Sequence, residues 1–414
     1  MQRALGNWVT GDLFWDRDEE LRMFIEYIRD GANILLTAPR RIGKTSLMRE
    51  AEIRLGEDVI CIQVDFQKSQ CAADAIVDLT VAMHAHRPLL SRAAALFSEF
   101  WKRIAGSIES VKVYELGFQL RAEVSETNWR EKGDRLFEIL AESDKPVVLF
   151  LDEVPILVNR ILQGGDYRIT DERRRNTDEF MSWLRENTIR HKGKFAIVLT
   201  GSIGLEPVLR FAGLNATLNT FTPFSLGAWP HKIAKEFLFA ISADYGLNLS
   251  CSVAEGIVTR LGYCIPHYVQ VYFEYIYREC RMKGITEVTD ELAAIVYDRE
   301  MLGARGHSEM SHLEERLKTV LGPERSALAI ELLTELAVVG RLTPESTKII
   351  AERYAWEHNS LDAILNEILG ILEHDLYIEL DKEGSYRPVS KFVTDWWKAR
   401  FSFGYVPALK RGDK

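Results

Sequence analysis

The segment Ala32-Asn-Ile-Leu-Leu-Thr-Ala-Pro-Arg-Arg-Ile-Gly-Lys-Thr-Ser-Leu-Met48 decides the fold of this chain. Its apolar start predicts a buried strand, a polar loop follows, and Gly43-Lys44-Thr45 opens a predicted helix. Backbone N–H groups at such a turn bind phosphate, the lysine reaches the β and γ oxygens, and the threonine hydroxyl helps to hold Mg²⁺. The order of strand, loop and helix therefore predicts a nucleoside triphosphate site.

The loop matches the pattern G-x-x-x-x-G-K-[ST] at every fixed position except the first, where Ala38 replaces glycine. That glycine relieves backbone strain and offers no side chain to phosphate, so the replacement weakens the match only slightly. The candidate nucleotide contacts are Pro39, Arg40, Arg41, Ile42, Gly43, Lys44, Thr45 and Ser46. The two arginines leave three roles open, because a permanent cation can stabilise transferred phosphoryl charge, face solvent or contact a partner chain.

A later apolar run, residues 146–151, ends in Asp152-Glu153. The carboxyl end of a buried parallel strand would place Asp152 beside the phosphate loop, where it can hold Mg²⁺ directly or through water. Glu153 is then the best candidate to orient and activate the attacking water. Combined with Lys44 and Thr45, this carboxylate pair predicts the second half of a hydrolytic site.

Strand and helix patterns alternate over the first half of the chain. The apolar runs are residues 32–37, 59–66, 146–153, 195–202 and 220–226. This alternation predicts a parallel α/β sheet. Residues 107–125 alternate in hydrophobicity and predict a short hairpin, whereas residues 163–176 predict a polar loop.

The pattern becomes almost wholly helical from about residue 230. We expect a P-loop nucleotide-binding α/β core over residues 1–228, a helical lid over residues 229–305 and a third domain over residues 306–414. Within the third domain, three helical patterns precede two short strands around a turn at 382–385. Three helices followed by a β-wing predict a winged-helix domain.

Two further polar segments are candidates for function. The run 195–202 ends in Thr200-Gly201-Ser202, where Ser202 is the first candidate and Thr200 the second to sense the γ-phosphate. A simple strand-ending turn is the alternative. Arg173-Arg174-Arg175 could supply an arginine finger or a nucleic-acid contact, but a solvated charge run is the simpler interpretation.

Composition excludes several classes of protein. The 414 residues are 47% hydrophobic and 27% charged, which is ordinary for a globular protein with a large core. The net charge of −9 argues against a chain built as a whole to bind nucleic acid or anionic lipid. No apolar run has the length of a membrane span, and the first residues have no signal-peptide pattern. Five scattered cysteines without C-x-x-C spacing indicate buried thiols in a reducing cytoplasm.

Four motifs together resemble the archaeal-type ATPases of the STAND branch, which are related to AAA+ proteins. They are Leu13-Phe-Trp-Asp-Arg-Asp-Glu-Glu-Leu21, the Pro-Arg-Arg-x-Gly-Lys-Thr-Ser-Leu loop at 39–47, the Asp152-Glu153 strand followed by Thr-Gly-Ser, and Leu261-Gly-Tyr-Cys-Ile-Pro-His-Tyr268. The C-terminal segment 386–401 also looks like the last part of these proteins. The resemblance implies ATP and Mg²⁺ as cofactors, with Pro266 packed near the base and Arg17 on the opposite side.

The third helix of the predicted winged-helix domain bears on the choice of partner. Residues 356–375 contain five acidic residues and no lysine or arginine, so phosphates should repel this helix. Nucleic acid is therefore possible but not favoured, and a protein partner or self-association fits better. Trp396 and Trp397 are expected to pack in the core rather than stack on bases.

These observations predict a regulatory switch that binds and hydrolyses ATP. The resemblance implies slow turnover and a role in stress or phage defence. Two alternatives remain. The first is a DNA-associated AAA+-type ATPase similar to origin-recognition or transposition proteins. The second is a scaffold that holds nucleotide without turnover.

Overall fold

The computed structural model describes residues 6–86, 120–201, 203–354 and 361–411, together with Leu89, Arg92, Ala93 and Gly117. The chain divides into two compact units. The sheet unit comprises Arg17–Ala38 and Leu47–Leu226. The helical unit comprises the described residues of Met1–Asp16, Pro39–Ser46 and Gly227–Lys414. The phosphate loop thus groups with the helical unit, although the strand that precedes it lies in the sheet.

The sheet unit is built on five parallel strands. These are β1 (Asn33–Thr37), β2 (Ile60–Asp65), β3 (Val147–Asp152), β4 (Phe195–Thr200) and β5 (Phe221–Ser225). Their order across the sheet is β2-β3-β4-β1-β5. The side chains of β4 are all buried, as are those of β3 up to Leu151, which is expected for parallel strands covered on both faces. The predicted α/β fold with a parallel sheet is confirmed.

Helices connect these strands and cover the sheet. They are α1 (Asp18–Arg29), α2 (Lys44–Leu55), α3 (Ala72–Ala82), α4 (Trp129–Ala141), α5 (Val154–Gln163), α6 (Asp171–Arg190) and α7 (Leu205–Ala212). The expected hairpin at 107–125 lies largely outside the described residues, and its described part at 120–123 is helical. The expected polar loop at 163–176 is shorter than predicted, because the Thr170 hydroxyl caps α6 by accepting from the Arg173 N–H.

The helical unit begins after β5. Its helices are α8 (His231–Asp244), α9 (Cys251–Leu261), α10 (Pro266–Lys283), α11 (Asp290–Val296), α12 (Ala304–Val339), α13 (Pro344–Ala351), α14 (Leu361–His374) and α15 (Lys391–Phe401). Two short parallel strands, β6 (Asn248–Leu249) and β7 (Glu287–Val288), pair with each other, and β8 (Ile378–Leu380) forms an antiparallel hairpin with β9 (Tyr386–Pro388).

The C-terminal segment has the predicted order of three helices followed by a hairpin. Its first helix, α12, is longer than expected and contains a break at Gly322, whose φ of 74° precedes Pro323. Trp396 and Trp397 are buried, and the Trp397 indole N–H donates to the Thr334 hydroxyl, so both residues serve packing as predicted. The assignment as a winged-helix domain and the three domain boundaries stay predictions.

Other features limit the classes of protein. Among the described helices, none combines the length and apolar character needed to cross a bilayer. The five cysteines are unpaired, but the expectation that all are buried is wrong, since Cys251 at the start of α9 is exposed. Within the described ranges, no group of three or more His, Cys, Asp or Glu side chains is arranged to bind a metal.

Candidate nucleotide site

The sheet brings the predicted site-bearing strand ends to one edge. Strand β4 lies between β1 and β3, with Leu36 opposite Thr200 on one side and Leu151 opposite Leu199 on the other. Because all three strands are parallel, their carboxyl ends share an edge of the sheet. The chain enters the phosphate loop directly after Thr37, and Asp152 ends the strand two positions away.

The backbone of the loop has positive φ angles at two positions, Arg41 and Gly43, and this conformation suits anion binding. Arg41 has a φ of 66° and Gly43 a φ of 107°, and α2 begins at Lys44. Successive N–H groups in such a turn, followed by the unpaired N–H groups of a helix start, form a concave anion-binding surface. Ala38 is not among the described residues with positive φ, which explains why glycine is not required there.

The polar side chains of the loop are held within the helical unit. The Lys44 ammonium donates to the Pro39 carbonyl at 3.1 Å. The Ser46 side chain is buried, and its hydroxyl oxygen accepts from the Val9 N–H at 3.0 Å. Ser46 therefore offers a ligand chiefly its backbone N–H. The role of Thr45 in metal binding and that of Ile42 in nucleotide contact stay predictions.

The carboxylate pair at the end of β3 adopts a strained turn. Glu153 has a φ of 57°, a left-handed conformation that is unusual for glutamate, and it directly precedes α5. Its N–H donates to the Asp152 Oδ1 at 2.9 Å. Such strain in a non-glycine residue is characteristic of functional sites. Asp152 thus ends β3 and Glu153 forms the turn to α5, while their roles toward magnesium and water stay predictions.

The end of β4 supplies a hydroxyl to the same edge. Thr200 is 1% exposed, and within the described part of the chain its hydroxyl has no hydrogen-bond partner. A buried polar group without a partner costs free energy, and a bound ligand or water can recover it. Ser202, the first candidate for γ-phosphate sensing, lies outside the described residues. Thr200 is thus the candidate whose surroundings the structure describes.

A cluster not predicted from the sequence surrounds Arg41. Its guanidinium forms an ion pair with Glu309 at the start of α12 and contacts the His267 ring at the start of α10. These partners lower the pKa of Glu309 to about 2, with the His267 hydrogen bond as the largest cause. Burial lowers the pKa of His267. No local pattern could have indicated this contact, because the partners lie more than two hundred residues apart in the chain. Arg40, by contrast, is exposed.

Arg17 and Pro266, which the resemblance assigns to the base, are both buried. Arg17 precedes α1 and donates to the Glu20 carboxylate at 2.8 Å. Pro266 begins α10, where a missing N–H costs nothing. Arg17 belongs to the sheet unit and Pro266 to the helical unit. Their placement around a base stays a prediction.

The charge argument against nucleic acid is weaker than the sequence suggested. In α14, Glu367 is buried and bonded to Arg325 at 2.9 Å. Just beyond that helix, Asp375 is paired with Arg316 at 2.7 Å. Two of the five acidic residues are therefore neutralised within the fold. The charge of this helix therefore no longer favours a protein partner over nucleic acid.

Arg173, the first residue of the basic triplet, bonds to residues that lie close to it in the chain. Its guanidinium donates to the Gln163 carbonyl at 2.8 Å and to the Arg168 carbonyl at 2.7 Å, and it pairs with Asp166. These bonds close the turn before α6. A structural role for Arg173 accounts for this geometry without a substrate.

Comparisons with known proteins give the fold. No known family model and no curated protein matches the chain. A Walker-type ATPase of Pyrococcus abyssi is similar in structure, with a TM-score of 0.62 and 18% identity over 95% of this chain and 99% of that one. The ORC2 protein of Aeropyrum pernix, solved as ADPNP and ADP complexes, has a TM-score of 0.50 and 10% identity over 97% of this chain and 98% of that one.

The sheet order, the loop after β1 and these similarities define the fold class. The chain has the α/β core fold of P-loop nucleoside triphosphatases. Fold alone does not assign an activity, so the activity has to be argued from the residues of the site.

Proposed function

We propose that this protein binds ATP with Mg²⁺, hydrolyses it slowly, and uses the nucleotide state as a regulatory switch of the STAND type. The observation that carries the proposal is the convergence at one sheet edge. Strand β1 runs into a loop with positive φ at Arg41 and Gly43, and β3 ends in the strained Asp152-Glu153 turn. A structural protein has no evident need for both features after the carboxyl ends of two parallel strands in one sheet.

Each residue has a role that its position supports. The loop N–H groups and Lys44 bind the β and γ phosphates, and Thr45 and Asp152 hold the Mg²⁺, which neutralises phosphate charge. Glu153 orients the attacking water and accepts its proton. The Thr200 hydroxyl, buried and without a protein partner in the described ranges, bonds the γ-phosphate or the water. Ser202 is proposed to share that task.

The helical unit supplies the response in this proposal. The loop groups with the helical unit, so a phosphate-dependent change in the loop acts on that unit first. The C-terminal three helices and hairpin are proposed to be a winged-helix domain that contacts a protein partner or a second copy of the chain. A role in stress or phage defence rests on the resemblance alone.

The test is calorimetric titration of the full chain with Mg-ATP. Removing the charge that reaches the phosphates, Lys44→Ala, should weaken ATP binding at least about 10-fold. Lys232→Ala, which removes a largely exposed lysine from α8, is the matched control and should bind normally. Absence of heat with any purine nucleotide in the folded wild type rejects the proposal.

A second candidate function is a DNA-associated ATPase. The neutralisation of Glu367 by Arg325 and of Asp375 by Arg316 favours it, because the exposed acidity that would repel DNA is reduced. A labelled duplex should then bind in the presence of ATP, with affinity that falls as salt rises. Lys44→Ala should remove the ATP dependence. A flat anisotropy titration with the wild type at low salt excludes this function.

A further inference from the structure

The phosphate loop is tied to the helical unit by a charged cluster. The Arg41 guanidinium bonds to Glu309 and contacts His267, and the Glu309 Oε2 lies 2.9 Å from the His267 Nε2. The three side chains are 26%, 31% and 11% exposed, in the order Arg41, Glu309 and His267. All three belong to the helical unit. The contact joins the loop to the starts of α10 and α12.

The charge states at neutral pH follow from the surroundings. Glu309 is ionised, since its pKa is lowered to about 2. His267 is neutral, because burial is the largest cause lowering its pKa and the nearby Arg41 adds to that effect. The cluster thus contains one guanidinium and one carboxylate. A carboxylate binds a guanidinium through oxygen atoms in much the same way as a phosphate does.

We propose that Glu309 is an internal competitor of the nucleotide phosphates for Arg41. In the described structure Glu309 holds the guanidinium. When a triphosphate binds the loop, Arg41 transfers to phosphate oxygens, and the bond between the loop and α12 is lost. This inference rests on the proposed function, because it requires ATP to bind at the loop.

Helix α12 connects Glu309 to the segment that follows α14. Helix α12 carries Glu309 and, two turns later, Arg316, which forms a buried ion pair with Asp375 at 2.7 Å. The Tyr377 hydroxyl also donates to the Leu313 carbonyl of α12 at 3.2 Å. The segment that follows α14 is therefore bonded to the same helix that the loop holds. Exchange at Arg41 would release this end of α12 and its attached partners from the loop, and His267 would remain as the partner of Glu309.

The test measures ATP affinity in the full chain. Glu309→Gln removes the competing charge and should tighten Mg-ATP binding about 1.5- to 5-fold, the range expected for a partly exposed ion pair. Glu315→Gln, an exposed glutamate on the same helix, is the matched control and should leave affinity unchanged. Arg41→Ala should weaken binding, since the phosphates lose a cation.

The double variant separates competition from a structural effect. With Arg41→Ala in place, adding Glu309→Gln should have no further effect on ATP affinity, because the competition no longer exists. A general loosening of the helical unit would still change affinity in that background and would overturn the inference. Should Glu309→Gln fail to fold, Glu309→Asp shortens the carboxylate and should tighten binding to a smaller degree.

The outcomes distinguish the two levels of proposal. If the wild type binds ATP but Glu309→Gln leaves its affinity unchanged or weaker, competition is rejected and the proposed function stands. If the folded wild type binds no nucleotide, the proposed function itself fails.

Discussion

Gly201 lies against Glu153 at the ends of neighbouring strands. A β-carbon at Gly201 would come 3.4 Å from the Glu153 Oε2 and 2.5 Å from the Cδ of Pro155 in α5. The glycine following β4 therefore sets how close the turn after β3 can approach. Any side chain at this position has to displace the first turn of α5, and with it the carboxylate proposed to activate water.

This relationship predicts the effect of Gly201→Ala. The methyl group should push Pro155 and Glu153 aside, so ATP hydrolysis should slow about 10- to 100-fold, as expected for misplacement of a reacting group by a fraction of an ångström to an ångström. ATP affinity should change little, because the phosphate loop is not touched. Steady-state phosphate release and calorimetry measure the two quantities. Gly165→Ala, where an added β-carbon meets nothing within 4 Å, is the control.

The role of Glu153 can be tested more directly. Glu153→Gln retains size and hydrogen bonding but cannot accept a proton, so hydrolysis should fall at least about 100-fold with ATP binding retained. Glu206→Gln, an exposed glutamate in α7, should hydrolyse ATP at the wild-type rate. Phosphate release at the background level in both Glu153→Gln and wild type would favour the nucleotide-binding scaffold without turnover.

The ion pair between Arg316 and Asp375 should contribute strongly to stability. Their side chains are 8% and 3% exposed, and Arg316 holds down the pKa of Asp375 against the effect of burial. Asp375→Asn leaves a buried guanidinium without its counter-charge, which costs about 3 kcal/mol. Chemical denaturation followed by circular dichroism should show an earlier transition. An equal shift in Asp362→Asn, which alters an exposed carboxylate of α14, would argue against this explanation.

Acid sensitivity should arise in part from His312. Burial, followed by the charges of Arg41, Arg40 and Arg316, lowers its pKa from 6.5 to about 3. The folded state thus binds fewer protons than the unfolded state between these values, so stability rises with pH across this range. The contribution is present above pH 6.5 and is lost as pH falls towards 3.

The contribution of His312 to the free energy of unfolding can be measured by comparing the wild type with His312→Gln at two pH values. Lowering pH from about 7.5 to about 5.5 should cost the wild type about 1 kcal/mol more than His312→Gln. Denaturation midpoints at both pH values give this difference. Parallel losses in the two proteins would show that other groups control the acid response.

Much of the fold could be predicted because its signals are local. The apolar runs of β1, β3 and β4 are continuous, as they are buried on both faces, and each is followed by a helical pattern. The loop pattern from Gly43 to Thr45 and the pair Asp152-Glu153 are likewise local. Parallel strands then imply that the strand ends preceding these two motifs share one edge of a sheet, and β1 and β3 are indeed parallel strands of one sheet.

Other features could not be predicted because they depend on contacts between distant parts of the chain. The acidic residues in and just after α14 predicted repulsion of phosphates, but the partners of Glu367 and Asp375 lie on α12. The crowding of Glu153 against Gly201 depends on the packing of α5 over the end of β4. Neither fact has a signature in spacing or composition.

The sequence by itself determined the parallel α/β core and the residue types of a nucleotide site. The reason is that strand burial, helix periodicity and the phosphate-loop pattern are each recognisable within a short stretch of residues. Only the tertiary structure decided the state of those residues. It paired Arg41 with Glu309, gave Glu153 its left-handed turn and left the buried Thr200 hydroxyl without a partner in the described chain. The physical reason is that pairing, strain and desolvation are properties of neighbours in space, which the order of residues along the chain does not specify.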